Sequence, residues 1–111
     1  MINVRITRDT SKGEIVGFSV KGHAKFAKHG RDIVCAGVST VTVGTVNAIE
    51  TLTGVVLDTS MDNGFLSGKL PQVEDAELSA KVQLLLESML VMLKDISHSY
   101  GKYVQIQEMT I

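Results

Sequence analysis

From Asp75 onward, Leu78, Val82, Leu85, Met89, Leu93 and Ile96 recur three or four residues apart, and Leu86 and Leu90 widen the same stripe. Residues at that spacing share one helix face, so the pattern predicts a single long amphipathic helix. A stripe this broad has to be covered. The covering layer is legible at the start of the chain, where Ile2, Val4 and Ile6 alternate with Asn3, Arg5 and Thr7, and where a period of two returns over residues 15–20 after a turn-like stretch at 9–13. Alternation of that kind predicts two half-buried strands joined as a hairpin. The stripe exceeds what a small sheet needs, and the surplus serves either as core or as the seat of a second copy across a two-fold axis.

The middle of the chain divides in the same way. Residues 23–31 hold Lys25, Lys28, Arg31 and Gly30 with no clean period, which predicts a loop. Asp32 stands where an N-cap is expected, ahead of a run in which Val38, Val41, Thr45, Ala48 and Leu52 fall at helical spacing and Gly54 is the stop. Residues 55–59 are strand-like. Asp62, Asn63 and Gly64 supply the Asn-Gly pair of a type I′ turn, so a second hairpin is expected, ending near Leu70 and Pro71. Residues 103–106 close the chain as a strand. The order is ββαββαβ, an α+β fold with an antiparallel sheet and two helices in one domain over residues 1–111.

Composition narrows the class further. With 111 residues there is room for one core, and 44% hydrophobic with 21% charged residues excludes disordered and fibrous chains. The lone cysteine excludes an intramolecular disulfide and suits a reducing compartment; with no leader-like start, a cytoplasmic protein is expected. No apolar stretch is read as approaching the ~20 residues that a bilayer demands, so membrane spanning is not expected. Residues 1–31 carry seven Lys or Arg against two acids, a net +5, and the other 80 carry four against ten, a net −6. That asymmetry leaves a local basic rim, but not the overall basic excess of a phosphate-binding domain.

Residues 22–39, GHAKFAKHGRDIVCAGVS, hold the only cysteine and two of the three histidines. If Asp32 caps the helix, Cys35 stands at the third helical position, where free backbone N–H groups and the positive helix end favour a thiolate. A thiolate beside a histidine-bearing loop has the parts for nucleophilic catalysis, with His23 as the candidate base. The N–H groups of Cys35 and Ala36 are candidate oxyanion donors. Asp32 caps the helix and either does only that or also orients the imidazole. Gly22 serves a turn or lets a substrate backbone approach, and Ser39, four residues beyond Cys35, shares its helix face.

Each residue has a plainer use. Cys35 in an apolar run often packs as a small hydrophobe, Ser39 can bond back to a helix carbonyl, and His98 suits the negative end of the long helix. His23, His29, Asp32 and Cys35 also form a conceivable metal set, although structural zinc sites pair their Cys and His ligands at short spacings that are absent here. The glycines form no phosphate-binding fingerprint.

The segments GHA and DIVCAGVS resemble the ribosomal-processing cysteine protease family Prp, also called YsxB-like. The likeness extends to the opening MINVRIT, the VNAIE segment, the Asn-Gly hairpin and the LESMLVML run. It implies a homodimeric enzyme of ribosome biogenesis that removes a short N-terminal extension from large-subunit ribosomal protein L-twenty-seven, cutting after a phenylalanine pair. Carried over position by position, it makes Cys35 the nucleophile and His23 the general base and acid. Gly22, Asp32 and Ser39 match as supporting residues, and the loop before Cys35 becomes a substrate-gated lid. It implies no cofactor, no metal, no membrane and no direct need for nucleic acid. Phe18, Phe26, Phe65 and the methionines are candidate residues for an apolar pocket. The alternative from another class is a non-catalytic ribosome-associated or RNA-binding module in which Cys35 is inert and the basic first third meets phosphates.

Overall fold

A computed structural model describes residues 1–111. The chain begins with β1 (Ile2–Arg8) and β2 (Ile15–Lys21), an antiparallel pair with Val4 opposite Val20 and Ile6 opposite Phe18. Ile2, Val4 and Ile6 are buried while Asn3 and Arg5 are exposed, so the alternation of the sequence is the alternation of the two sheet faces. The register slips at Thr7/Arg8, and this bulge turns both Ile15 and Phe18 inward although they are three residues apart.

Helix α1 (Ile33–Thr53) follows, capped by Asp32 and stopped by Gly54 at φ +76°. Its buried stripe is Val34, Val38, Thr42, Thr45 and Ile49, rotated from the face that hydrophobic spacing predicts. Leu52 is exposed, whereas Thr42 and Thr45 enter the core because their hydroxyls donate to the carbonyls of Val38 and Val41 at 2.8 and 2.6 Å. A hydroxyl satisfied by the preceding turn is not penalised for burial. By length and composition α1 is also apolar enough to cross a bilayer, contrary to the sequence expectation. Val34, Val38 and Ile49 of its stripe belong to the shared core, and α1 packs against α2.

β3 (Asp58–Asp62) and β4 (Phe65–Lys69) make the second hairpin, with β3 a few residues later than the sequence suggests and exposed throughout. Its turn is not type I′: Gly64 has φ +72°, but Asn63 stays at negative φ, its N–H taken by Asp62 Oδ1 at 2.7 Å. α2 (Ala76–Ser99), capped by Asp75, buries Val82, Leu86, Met89, Leu90 and Leu93. β5 (Val104–Thr110) ends the order β1β2α1β3β4α2β5.

The sheet order is β3-β4-β2-β1-β5. The expected antiparallel sheet is mixed, because β5 lies parallel to β1, with Ile2 opposite Val104. The helical crossover through α2 brings the chain back to the side on which β1 began, and a parallel neighbour results. Eighteen buried residues drawn from the sheet, both helices and the intervening loops form one core.

Candidate active site

The site is built where β2 ends and α1 begins. Asp32 has extended backbone dihedrals, and its Oδ1 accepts the N–H groups of Val34 and Cys35 at 3.1 and 3.0 Å. Its Oδ2 accepts the Phe26 N–H at 3.0 Å, so one carboxylate closes the helix and holds the loop before it. Partial desolvation pushes the Asp32 carboxyl up, but donation from the Cys35 N–H and side chain and from the Phe26 and Ala27 N–H groups outweighs it and holds the group below the ordinary carboxylate range. The hydrogen bonds of Asp32 run to the first turn of α1 and to the loop before it, and none reaches His23, so in this arrangement the residue caps rather than orients the imidazole.

Cys35 is half-buried in the first turn of α1, as the spacing from Asp32 requires. Its Sγ accepts the backbone N–H of Ala24 at 3.3 Å. Ala24 is buried and directly follows His23, so the loop brings the histidine to the Cys35 side of the helix end. The imidazole itself is exposed and has no hydrogen bond to the thiol. The expected oxyanion donors are engaged: the Cys35 N–H donates to Asp32 Oδ1 and the Ala36 N–H to the Asp32 carbonyl at 3.0 Å. The cap that starts the helix therefore uses the two N–H groups that spacing offered for an oxyanion.

His23 and Cys35 line one cleft of about 980 Å³, together with Gly22, Asp32, Ala36 and Ser39. Ser39 is exposed on the cleft side of α1, one turn beyond Cys35. Gly22, at φ +98°, lies so close to the Met1 carbonyl that a side chain has no space there. The basic loop residues Lys25 and Arg31 and the imidazole of His29 also reach the wall. His29 makes no converging ligand set with His23, Asp32 and Cys35, and nowhere do three His, Cys, Asp or Glu side chains gather as metal ligands would.

The opposite wall is the β3–β4 turn, with Met61, Asn63, Gly64, Phe65 and Leu66. Sequence reasoning offered Phe65 and, among the methionines, Met61, and missed Asn63, Gly64 and Leu66. Gly22 N–H donates to the Gly64 carbonyl at 2.8 Å and so ties the two walls together, a pairing that depends on sheet register and leaves no local signal. The other two phenylalanines lie elsewhere. Phe18 is buried in the core, and Phe26 packs edge-on against Tyr100 and Tyr103 with ring centroids 5.7 and 5.2 Å away.

A half-buried thiol at a helix start, contacted by an amide from a histidine-bearing loop, is an arrangement suited to attack on a carbonyl carbon. Comparison with known proteins leads to the same chemistry. The family model described as "Cysteine protease Prp" matches residues 1–105. The ribosomal processing cysteine protease Prp of Bacillus subtilis (strain 168) is 44% identical over 108 residues, which cover 96% of each chain. Among solved structures, Prp from S. aureus with a covalently linked product peptide superposes with a TM-score of 0.87 at 34% identity, covering 98% of this chain and 100% of that one. The same S. aureus protease with a substrate peptide gives 0.82 at 32% identity, with coverage of 98% and 100%. Sequence and fold thus agree, and the chain belongs to the Prp family of ribosomal-processing cysteine proteases.

Proposed function

We propose that this protease removes the short N-terminal extension of ribosomal protein L-twenty-seven by cutting after phenylalanine, with Cys35 as nucleophile and His23 as general base and acid. The observation that carries the reading is the meeting of His23 and Cys35 in one cleft at the start of α1, with the Ala24 N–H on the sulfur. The Cys35 thiolate attacks the scissile carbonyl carbon, and the tetrahedral adduct collapses as the amine leaves with a proton from His23. The resulting thioester is then hydrolysed by a water whose proton passes to His23. Since the imidazole carries no bond to the thiol in this arrangement, substrate completes the pair by ordering the loop. Ser39 and Ala36 flank the scissile bond, and Met61 and Phe65 offer an apolar wall to a phenylalanine side chain.

The enzyme acts in the cytoplasm as a homodimer. Support for the dimer comes from the exposed Leu84, Val91 and Met92 on α2 beside a shallow groove of about 270 Å³ that includes Val41, Ala48 and Leu85. Sedimentation of the intact protein tests that arrangement, and a monomer at micromolar concentration overturns it.

The deciding experiment incubates the wild-type protein and Cys35→Ala with a peptide copying the ribosomal extension and follows products by mass spectrometry. Cleavage after phenylalanine by wild type alone is expected. Trimming by the alanine variant removes Cys35 from the mechanism, and a wild-type enzyme that is folded yet inert removes the substrate assignment.

A further inference from the structure

The imidazole of His23 is exposed and no hydrogen bond fixes it, so something else must define where the ring lies. The β3–β4 turn is what it rests on. A Cβ built on Gly64 would stand 2.7 Å from His23 Nε2, 3.2 Å from Cε1 and 3.3 Å from Cδ2. Those three atoms are the far end of the ring, which therefore lies directly on the bare Cα of Gly64. The same glycine accepts the Gly22 N–H at 2.8 Å, so the surface under the ring is tied to the backbone that carries the ring.

We propose that Gly64 is a positioning residue for His23: the missing side chain leaves the space that the distal end of the imidazole occupies against the turn, within the cleft that also holds Cys35. The proposal rests on the reading that His23 moves the proton. Between a methyl group at position 64 and a flexible histidine side chain, the histidine yields, so the ring is displaced at little cost to packing. The loss falls on the reaction, because a displacement of about 1 Å in a reacting group costs about a hundredfold in rate.

The turn also needs a positive φ at Gly64, and that requirement has to be separated from the contact. Gly54 provides the control, since it has φ +76° with nothing within 4 Å of a built Cβ and lies at the far end of α1. The experiment compares wild type, Gly64→Ala, Gly54→Ala and His23→Ala, using the extension peptide, thermal melting and side-chain NMR of the histidine rings. Gly64→Ala is expected to lower kcat by about tenfold to a hundredfold, to leave KM within about threefold, and to shift the His23 ring resonances. Gly54→Ala should melt lower by a similar amount while keeping wild-type kcat and wild-type ring resonances. A Gly64→Ala enzyme with wild-type kcat, or with unmoved His23 resonances, overturns the proposal. A His23→Ala enzyme of full activity overturns the proton-transfer role instead, and the ring resonances of Gly64→Ala still report whether Gly64 places the imidazole.

Discussion

The backbone N–H of Ala24 donates to Sγ of Cys35 at 3.3 Å, across eleven positions of sequence. Ala24 follows His23, and two residues later the Phe26 N–H is held by Asp32. The candidate base thus travels on a short segment fastened at both the proposed nucleophile and its helix cap. Loosening either fastening is expected to alter the chemistry before it alters the fold.

Asp32→Ala removes the acceptor for three N–H groups at once. Loss of an N-cap costs about 1 kcal/mol, within a range of roughly 0.5 to 2. Amide exchange at Ala24 and Phe26 should quicken together with the fall in melting temperature. The folded carboxyl is held below its ordinary value, so its contribution is complete at neutral pH and fades as pH falls through the folded value. The stability gap between wild type and Asp32→Ala should therefore narrow below about pH 4. A gap that stays constant down to pH 2 contradicts the role given to the charge.

Phe26→Ala removes the two edge-on contacts with Tyr100 and Tyr103. Aromatic pairs contribute about 0.5 to 1.5 kcal/mol each, and a partly exposed ring falls at the lower end. The sharper expectation concerns reactivity: the loop leaves the sulfur, and iodoacetamide should modify the sole cysteine severalfold faster. Equal alkylation rates mean that the aromatic contact does not hold the loop in place.

Arg8 links three elements, donating to Glu87 on α2 at 2.6 and 2.9 Å and to Glu108 on β5 at 3.1 Å. The hydrogen bond from Arg8, opposed by partial desolvation, is the main reason that both carboxyls lie below the usual range. Their stabilisation is present at neutral pH and disappears as acid titrates them through those lowered values. The side chains remain partly exposed, so Arg8→Leu should cost no more than about 1 kcal/mol at low salt. The difference from wild type should shrink in 1 M salt and below about pH 4; a salt-independent loss points to packing of the arginine stem instead.

Gly68→Ala tests the core directly. A Cβ there would stand 2.5 Å from Cε1 of Phe18, which lies opposite it across the β2–β4 pair. Phe18 is 4% exposed and has nowhere to go, so overpacking of about 1 to 3 kcal/mol is expected. Adding Phe18→Leu should recover part of that loss. Simple additivity of the two substitutions in a double-mutant cycle contradicts a direct contact.

The sequence carried much of the architecture because its signals are local. Asp32 before an apolar run and Gly54 after it set both ends of α1, and alternation over Ile2, Val4 and Ile6 set β1. The inward face of α1 was read only in part: spacing named Val38 and Thr45, which are buried, but favoured Leu52 and passed over Thr42, whose hydroxyl the fold satisfies within the helix. The parallel placement of β5 depends on the path of the crossover rather than on any residue in the strand. The GHA and DIVCAGVS segments make the cysteine and histidine conspicuous, but most of the facing wall was hidden. Gly64 reads as an ordinary turn glycine until the sheet register sets it against Gly22 and His23.

The pairing of β1 with β5 also bears on when the site comes into being. Ile2 lines the cleft, and its N–H donates to the Tyr103 carbonyl at 2.7 Å; its strand partner is Val104, roughly a hundred residues later. Contacts that distant in sequence close late and slowly, because the intervening chain must first lose its freedom. One wall of the candidate active-site cleft is thus supported by a strand made almost a full chain length afterwards. Proteolytic competence is tied to completed folding, and a half-assembled chain carries its one thiol without the frame that would aim it.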